Sequence, residues 1–332
     1  MSVPAATDAA APPSRRLWWI LGWCVLALFT GIAAYALPWA DVIAALAGAK
    51  WHWALLAVFV SLAGWPFWIL QWQLLAPKAH RPSFARMAQV TALSGAANTS
   101  LPMTGVVASV GFLIVRGRLP ASAAASLYTV DQLVTGIGKV ATLALAALLV
   151  PVPDWLRSGL LALSGIMAVF TLALLVAAHG GNRLRRLGIG LSARPALLVG
   201  HVADFVDNLE PLRKPVLGTA VVLLTFAKTA AEVLMVMTVQ VAVGIEPSVA
   251  AAVLVVAALD LATMAPVSPG HLGVFEATVI LCYQYLGVPL PLATAAALIH
   301  HGVLFVASLV SLAYLGWALP QDDKGQRRLD QP

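Results

Sequence analysis

Long apolar runs, separated by short polar or helix-breaking segments, dominate the chain. About 20 apolar residues in a helix cross the ~30 Å hydrocarbon core of a bilayer, and six runs reach roughly that length. Each run is bounded by proline, glycine or charge, which are common signals of a helix boundary. The six runs are residues 17–37, 51–76 with a bend at Pro66, 120–150, 155–178, 215–243 and 290–318. The pattern predicts an all-α polytopic membrane protein with about six full transmembrane helices.

A first break separates two shorter apolar stretches within residues 84–117. The break carries Asn98, Pro102 and Gly105, and proline and glycine disfavour a continuous helix. Stretches this short are marginal for crossing a bilayer and are typical of segments that enter a membrane and return. We therefore expect a re-entrant helical hairpin at 84–117, with two ordinary spans as the alternative.

A second break repeats this arrangement within residues 248–287. Its helix-breaking and polar residues are Pro266, Ser268, Pro269, Gly270, His271 and Gly273. Non-helical backbone survives at membrane depth only where protein or water satisfies its N–H and C=O groups. The second break therefore predicts a polar cavity inside the membrane and a re-entrant hairpin at 248–287, again with two ordinary spans as the alternative.

Basic residues cluster at alternate ends of the apolar runs. If the lysines and arginines face the cytoplasm, both termini are cytoplasmic and the two hairpins enter from opposite sides. Opposed broken elements are typical of inverted-repeat transporters. The segment Pro120–Leu127 also aligns with Pro291–Leu298 at a constant offset of 171 residues. The pattern favours an inverted repeat.

The sequence predicts a single membrane domain at residues 15–320, with one further segment at each end. Residues 1–14, rich in alanine and proline, are expected to form a disordered cytoplasmic N-terminus, and residues 321–332 a cytoplasmic tail. Acidic and apolar positions at 196–212 predict an amphipathic helix, which either lies on the cytoplasmic surface or packs on the bundle.

Composition narrows the possible classes of protein. Hydrophobic residues make up 61% of the chain and charged residues 10%, which leaves too little polar surface for a soluble globule. The net charge of +6 comes from basic residues at the ends of apolar runs, so nucleic-acid binding is not expected. Cys24 and Cys282 lie singly in apolar runs, and we expect no disulfide, metal site or cofactor.

Ionisable side chains inside the apolar runs are the candidate ligand-binding residues, since a charge at the bilayer centre costs about 2.5 kcal/mol or more. The candidates are Asp131, Lys228, Glu232, Asp260, Glu276 and His300, with Arg116 at the end of a short run. Lys228 and Glu232 are four residues apart on one helix face, which fits either a structural ion pair or a head-group site. Asp131 and Lys139 lie on the same face of one predicted helix but are about two turns apart, too far to contact each other. Each is therefore expected to pair with a residue of another helix.

Glu276 falls in the first turn of a short helix, where it either caps the helix or binds a cation or a proton. A cationic head group would suit Glu276 and Asp260. A phosphate would instead prefer the helix N-terminus, Lys228 or Arg116.

The adjacent histidines His300 and His301 point about 100° apart on a helix. We therefore expect that they do not both line one site. Either histidine could relay a proton near neutral pH.

Two motifs carry a resemblance to a known family. The second break reads Pro-Gly-x-Leu-Gly-x-x-Glu at residues 269–276, and the first reads Leu-Pro-x-x-Gly at residues 101–105. With the helix layout from about Leu17 to Trp317, they resemble the membrane domain of lysylphosphatidylglycerol synthase/flippases and their stand-alone relatives. The resemblance implies that a lipid with a polar head group moves between leaflets of the bacterial inner membrane through a midplane cavity. It concerns the flippase half only, and no aminoacyl-transfer domain is expected.

The chain departs from the family pattern at both breaks. Members typically follow the first break with Gly-Glu and a nearby Arg, where this chain has Gly105-Val106 and Ser109. In the second break, His271 stands where a third glycine is usual. A different head group, or loss of transport, is left open.

The favoured hypothesis is a lipid translocase whose partner is a membrane phospholipid or glycolipid. Homo-oligomerisation and work alongside a separate lipid-modifying enzyme both fit this hypothesis. The alternatives are a proton-coupled secondary transporter of a small polar solute and a non-transporting membrane partner subunit. A lateral opening that admits acyl chains would distinguish a lipid carrier from a solute carrier. An enzyme is not expected, because no Asp-rich metal motif, nucleotide-binding glycine loop or serine–histidine arrangement is present.

Overall fold

The computed structural model describes residues 15–100, 105–178, 200, 202–209, 214–264 and 268–329. The predicted N-terminal segment 1–14 and the break residues Pro102 and Pro266 lie outside the described residues. Part of the predicted amphipathic helix 196–212 and the last three residues of the predicted tail do so as well.

Every regular element in the described part of the chain is helical, so the prediction of an all-α fold is confirmed. Two 3₁₀ turns, Lys78–His80 and Pro269–His271, accompany the α-helices. The α-helices are α1 Arg15–Ala36, α2 Trp39–Ala47, α3 Trp51–Ala63, α4 Trp65–Leu75, α5 Phe84–Ser100, α6 Gly105–Val115, α7 Ala121–Leu149, α8 Asp154–Ala178, α9 Pro215–Val243, α10 Val249–Ala262, α11 Val274–Tyr285 and α12 Leu290–Leu329.

Five spans in the described residues are long and apolar enough to cross a membrane. They are Trp51–Leu75, Ala121–Leu149, Asp154–Leu174, Pro215–Val243 and Leu290–Tyr314. A sixth span would combine Leu26–Ala36 with α2, which meet at an angle of 89°. The hydrophobic pattern did not predict α2, because nine residues are too few to cross a bilayer.

The helix predicted at 51–76 is interrupted at Gly64, where α3 ends and α4 begins, and the two form one span, Trp51–Leu75. A proline ring clashes with the carbonyl group four residues before it, so the disruption falls on the N-terminal side of Pro66. Pro66 itself occupies the first turn of α4, where its missing N–H removes no helical hydrogen bond.

Each break joins two helices that pack against one another, α5 with α6 and α10 with α11. One hydrophobic core contains residues of α10 and α11 with α3, α9 and α12. The other contains residues of α5 and α6 with α4 and α7. Each hairpin is thus packed in a core of its own, while re-entrance and the inverted repeat stay predictions.

The described part of the predicted amphipathic helix, residues 202–209, packs on the bundle. Ala203, Val206 and Leu209 are buried at a spacing of three residues. The backbone oxygen of Phe205 accepts a hydrogen bond of 2.8 Å from Ser126 Oγ on α7. The packing alternative therefore describes this segment, and its position relative to the cytoplasmic surface stays a prediction.

Candidate functional site

A cavity of about 590 Å³ lies between α9, α10, the second break and α12. Its ionisable lining residues are Glu232 on α9, Asp260 on α10, His271 in the break, and His300 and His301 on α12. The apolar lining includes Met235, Val256, Leu259, Leu272, Phe275, Leu304, Phe305, Leu309 and Leu312. The cavity therefore has a polar side and an apolar side.

The polar side lies at mid-span. His301 is near the middle of the apolar span Leu290–Tyr314, and Glu232 is near the middle of Pro215–Val243. A transmembrane helix holds its central residues farthest from both aqueous faces, so charged groups there must be solvated by protein or by water. The cavity supplies that environment.

The described part of the second break, residues 268–273, is a tight turn with two internal hydrogen bonds. Ser268 is buried, and its hydroxyl donates a hydrogen bond of 2.7 Å to the backbone oxygen of Leu272. The backbone N–H of His271 donates to the backbone oxygen of Ser268 over 3.1 Å. Gly270 and Gly273 have φ of 63° and 84°, which glycine adopts without steric cost. The Pro269–His271 turn thus holds His271 at the cavity.

Glu276 makes two interactions at the start of α11. Its Oε2 accepts a hydrogen bond of 2.7 Å from the backbone N–H of Gly273, so the side chain caps the helix. Its Oε1 lies 2.6 Å from Nδ1 of His301 on α12. The carboxylate therefore links the break to α12 directly beside the cavity, and the capping role considered from the sequence is present.

The expectation that His300 and His301 would not both line one site is wrong. Both line the cavity, and both rings contact Phe275, with centroid separations of 4.9 Å and 4.5 Å respectively. The Phe275 ring lies between the two side chains, and an imidazole is long enough to reach it from either direction. Two adjacent residues of a helix can therefore line one site when both contact the same aromatic ring.

An ion pair joins Asp260, which lines the cavity, to Lys139 on α7. Lys139 Nζ lies 3.2 Å from Asp260 Oδ1, and the two side chains keep 24% and 22% of their surface exposed. Lys139 also donates to the backbone oxygen of Asp260 over 3.3 Å. Glu232 interacts electrostatically with both members of this pair and with Lys228. The carboxylates of the cavity are thus balanced by neighbouring lysines.

Asp131 lies in a separate buried network. Its Oδ1 accepts a hydrogen bond of 2.8 Å from Gln71 on α4, and Gln71 in turn accepts one from Thr225 on α9 over 3.1 Å. Lys228 interacts electrostatically with Asp131 and with Glu232, and so connects the network to the cavity. Asp131 and Lys228 are not among the residues that line the cavity. As expected from the sequence, Asp131 and Lys139 both pair with other helices.

Arg116 is not among the residues that line this cavity, and its role in substrate binding stays a prediction. It is exposed at the C-terminal end of α6. The first-break residues Asn98 and Gly105 contact each other, because a Cβ at Gly105 would meet the side chain of Asn98. The helices α5 and α6 thus approach each other closely at these two residues, neither of which lines the cavity.

Two contributors to the site were not predicted as binding residues. Lys139 and His301 were recognised only as ionisable groups inside apolar runs. Their partners, Asp260 and Glu276, are 121 and 25 positions away in the chain. In the described part of the chain, no group of three or more His, Cys, Asp or Glu side chains is arranged to hold a metal ion.

The cavity is open on one side along α12. Phe305 and Leu309 line the cavity and are 63% and 50% exposed, and Leu312 is exposed as well. In a helix that crosses a membrane, exposed apolar side chains face lipid. The apolar side of the cavity is therefore continuous with the exposed apolar surface of α12.

Comparison with known families gives one match that covers most of the chain. The family model described as "Lysylphosphatidylglycerol synthase TM region" matches residues 19–311. No curated protein and no solved structure matches the chain.

Proposed function

The chain belongs to the family of the lysylphosphatidylglycerol synthase TM region, a family of multi-pass membrane proteins, and we propose that it is a transporter that moves a lipid between leaflets. The head group crosses through the cavity at mid-span, and the acyl chains stay in the bilayer. We place the protein in the bacterial inner membrane with both termini in the cytoplasm, as the distribution of basic residues favours.

One observation carries the proposal: the charged side of the cavity is continuous, along one face of α12, with an apolar wall that is open to lipid. His301, Phe305 and Leu312 all line the cavity. At ~1.5 Å per residue, the stretch from His301 to Leu312 is about 16 Å long, which is half of a ~30 Å hydrocarbon core. A polar site at mid-span with an apolar wall one leaflet long suits a molecule with a polar head and acyl chains.

The test is lipid translocation in proteoliposomes with Ser308→Trp, which places a large ring at the cavity wall. The matched control is Val310→Trp on the same helix, because Val310 is exposed but is not among the lining residues. We expect Ser308→Trp to slow translocation by about tenfold or more, as for an added barrier of ~1.4 kcal/mol, and Val310→Trp to leave it within about twofold.

Equal rates for the two variants would contradict a path along this face of α12. Failure of the wild-type protein to move any lipid would overturn the proposal itself. Both variants are first compared with the wild-type protein by thermal unfolding, so that a folding defect is not mistaken for a blocked path.

A proton-coupled carrier of a small polar solute is the second candidate. It is favoured by the 2.6 Å contact between Glu276 Oε1 and His301 Nδ1, which is suited to hold and release a proton beside the cavity. Solute uptake driven by a pH gradient, without lipid movement, would select this candidate.

A further inference from the structure

Resting on the proposed lipid transport, we propose that the transported head group carries both a phosphate and an ammonium group and has no net charge. Lys139 and His271 face the phosphate, and Asp260 and Glu232 face the ammonium. His271 is the residue that determines this preference.

An ion pair is already present at the cavity. Lys139 and Asp260 are 3.2 Å apart, each with about a quarter of its side-chain surface exposed. Both interact electrostatically with Glu232, and Glu232 also interacts electrostatically with Lys228. The two carboxylates, Asp260 and Glu232, line the cavity, and the two lysines lie beside them as electrostatic neighbours, so the formal charges of the four groups cancel.

A ligand with a single charge fits this wall poorly. A cation that pairs with Asp260 would leave Lys139 without its partner, and an anion that pairs with Lys139 would do the same to Asp260. An unpaired charge in a low-dielectric site is strongly unfavourable. A head group with both charges replaces one ion pair with two, so that every charge keeps a partner. The difference in binding free energy between such a head group and a singly charged one is a basis for selectivity.

The backbone of His271 has a φ of 55°. That left-handed conformation is unfavourable for a residue with a Cβ, and glycine would adopt it freely. Strain of this kind persists where the side chain has a function. His271 lines the cavity, and its Nδ1 is shielded from solvent without a hydrogen-bond partner among the described residues.

The position of His271 indicates which charge it meets. It interacts electrostatically with Lys139 and with His301, so it lies on the side of the cavity where these two basic residues meet their carboxylate partners. An imidazole N–H on that side is a suitable donor to a phosphate oxygen. Lys139 supplies the charge and His271 supplies a directed hydrogen bond.

The experiment measures translocation of three labelled lipids in proteoliposomes. Phosphatidylethanolamine carries both charges, phosphatidylglycerol carries only the phosphate, and a trimethylammonium-propane diacyl lipid carries only the cation. We expect wild-type protein to move phosphatidylethanolamine about tenfold faster than either of the others, since one charge-assisted contact alters a rate by about that factor.

Two His271 variants test the role of this side chain. His271→Gly removes the side chain and the strain, so we expect an unfolding temperature that is unchanged or higher, together with loss of the head-group preference. His271→Asn tolerates the left-handed backbone and keeps a hydrogen-bonding side chain, so we expect it to retain the preference. A preference that survives in His271→Gly would overturn the assignment of His271.

The ion pair is tested by the double variant Lys139→Met/Asp260→Leu, which removes both charges together and leaves neither of them unpaired. We expect it to lose the preference for phosphatidylethanolamine. If the double variant still prefers this lipid, the charge argument fails.

The remaining outcomes separate this inference from the proposed function. Equal or faster movement of a singly charged lipid would overturn the head-group assignment and leave lipid translocation standing. Glycerophosphoethanolamine is the same head group without acyl chains. Its uptake without lipid movement would support the head-group assignment and overturn lipid translocation.

Discussion

Glu276 caps α11 and also joins it to α12, so its two interactions can be separated by mutation. Its Oε2 accepts from the Gly273 N–H over 2.7 Å, and its Oε1 lies 2.6 Å from His301 Nδ1. Loss of a helix cap costs about 1 kcal/mol, and loss of a hydrogen bond to a charged group costs about 1.5–3 kcal/mol. We therefore expect Glu276→Ala to lower the free energy of unfolding by about 3 kcal/mol.

The assay is a double-mutant cycle of Glu276→Ala and His301→Ala, measured by denaturant unfolding of the purified protein in detergent. His301→Ala keeps the cap and loses the pair together with the ring contact to Phe275, so the pair is the one interaction that the two single changes share. The expected coupling energy is about 1.5–3 kcal/mol. Glu246→Ala is the control, because Glu246 is exposed between α9 and α10, and its effect should stay within about 0.5 kcal/mol.

Additivity of the two changes within about 0.5 kcal/mol would refute the pairing of Glu276 with His301. If Glu276→Ala has no larger effect than Glu246→Ala, the capping role falls as well. Glu276→Gln distinguishes the two roles further, because its amide oxygen can still cap the helix while the negative charge opposite His301 is lost.

Two further predictions concern helix contacts. Gly105→Ala should lower the unfolding temperature because its Cβ would meet the side chain of Asn98, whereas Gly111→Ala, with open space around it, should raise stability by about 0.5–1 kcal/mol. Equal effects of the two changes on thermal unfolding would argue against the close contact of α5 and α6. Lys139→Met and Asp260→Leu should each destabilise the protein by about 3 kcal/mol or more, and the double variant by less than either. Denaturant unfolding that finds the double variant least stable would contradict the ion pair.

The helical spans were largely predictable because the signal for them is local. The apolar runs at 51–76, 120–150, 215–243 and 290–318 correspond closely to spans of the structure. A bilayer imposes a length of about 20 apolar residues on any crossing helix, so the constraint is visible without knowledge of the partners. The short helix α2 escaped prediction because it is below that length.

The partners of the buried charges were not predictable, although their need for partners was. The sequence indicates that Asp131 and Lys139 must each meet another helix, since they are too far apart to pair with each other. It does not indicate Gln71 or Asp260, because helix packing brings these residues together across 60 and 121 positions. Whether a charge near a break, such as Arg116, faces a cavity likewise depends on how the hairpin is turned.

The amino-acid sequence alone predicts a helical membrane bundle with two interrupted hairpins. The length of an apolar run and the presence of helix-breaking residues are both local properties, set by a few neighbouring positions. The assembly of the cavity depends on contacts between distant helices. Packing of α7, α9, α10 and α12 places Lys139 beside Asp260 and sets His301 against Glu276. The same packing leaves the apolar face of α12 exposed. Such contacts depend on the relative position and rotation of whole helices, which no local pattern of residues specifies.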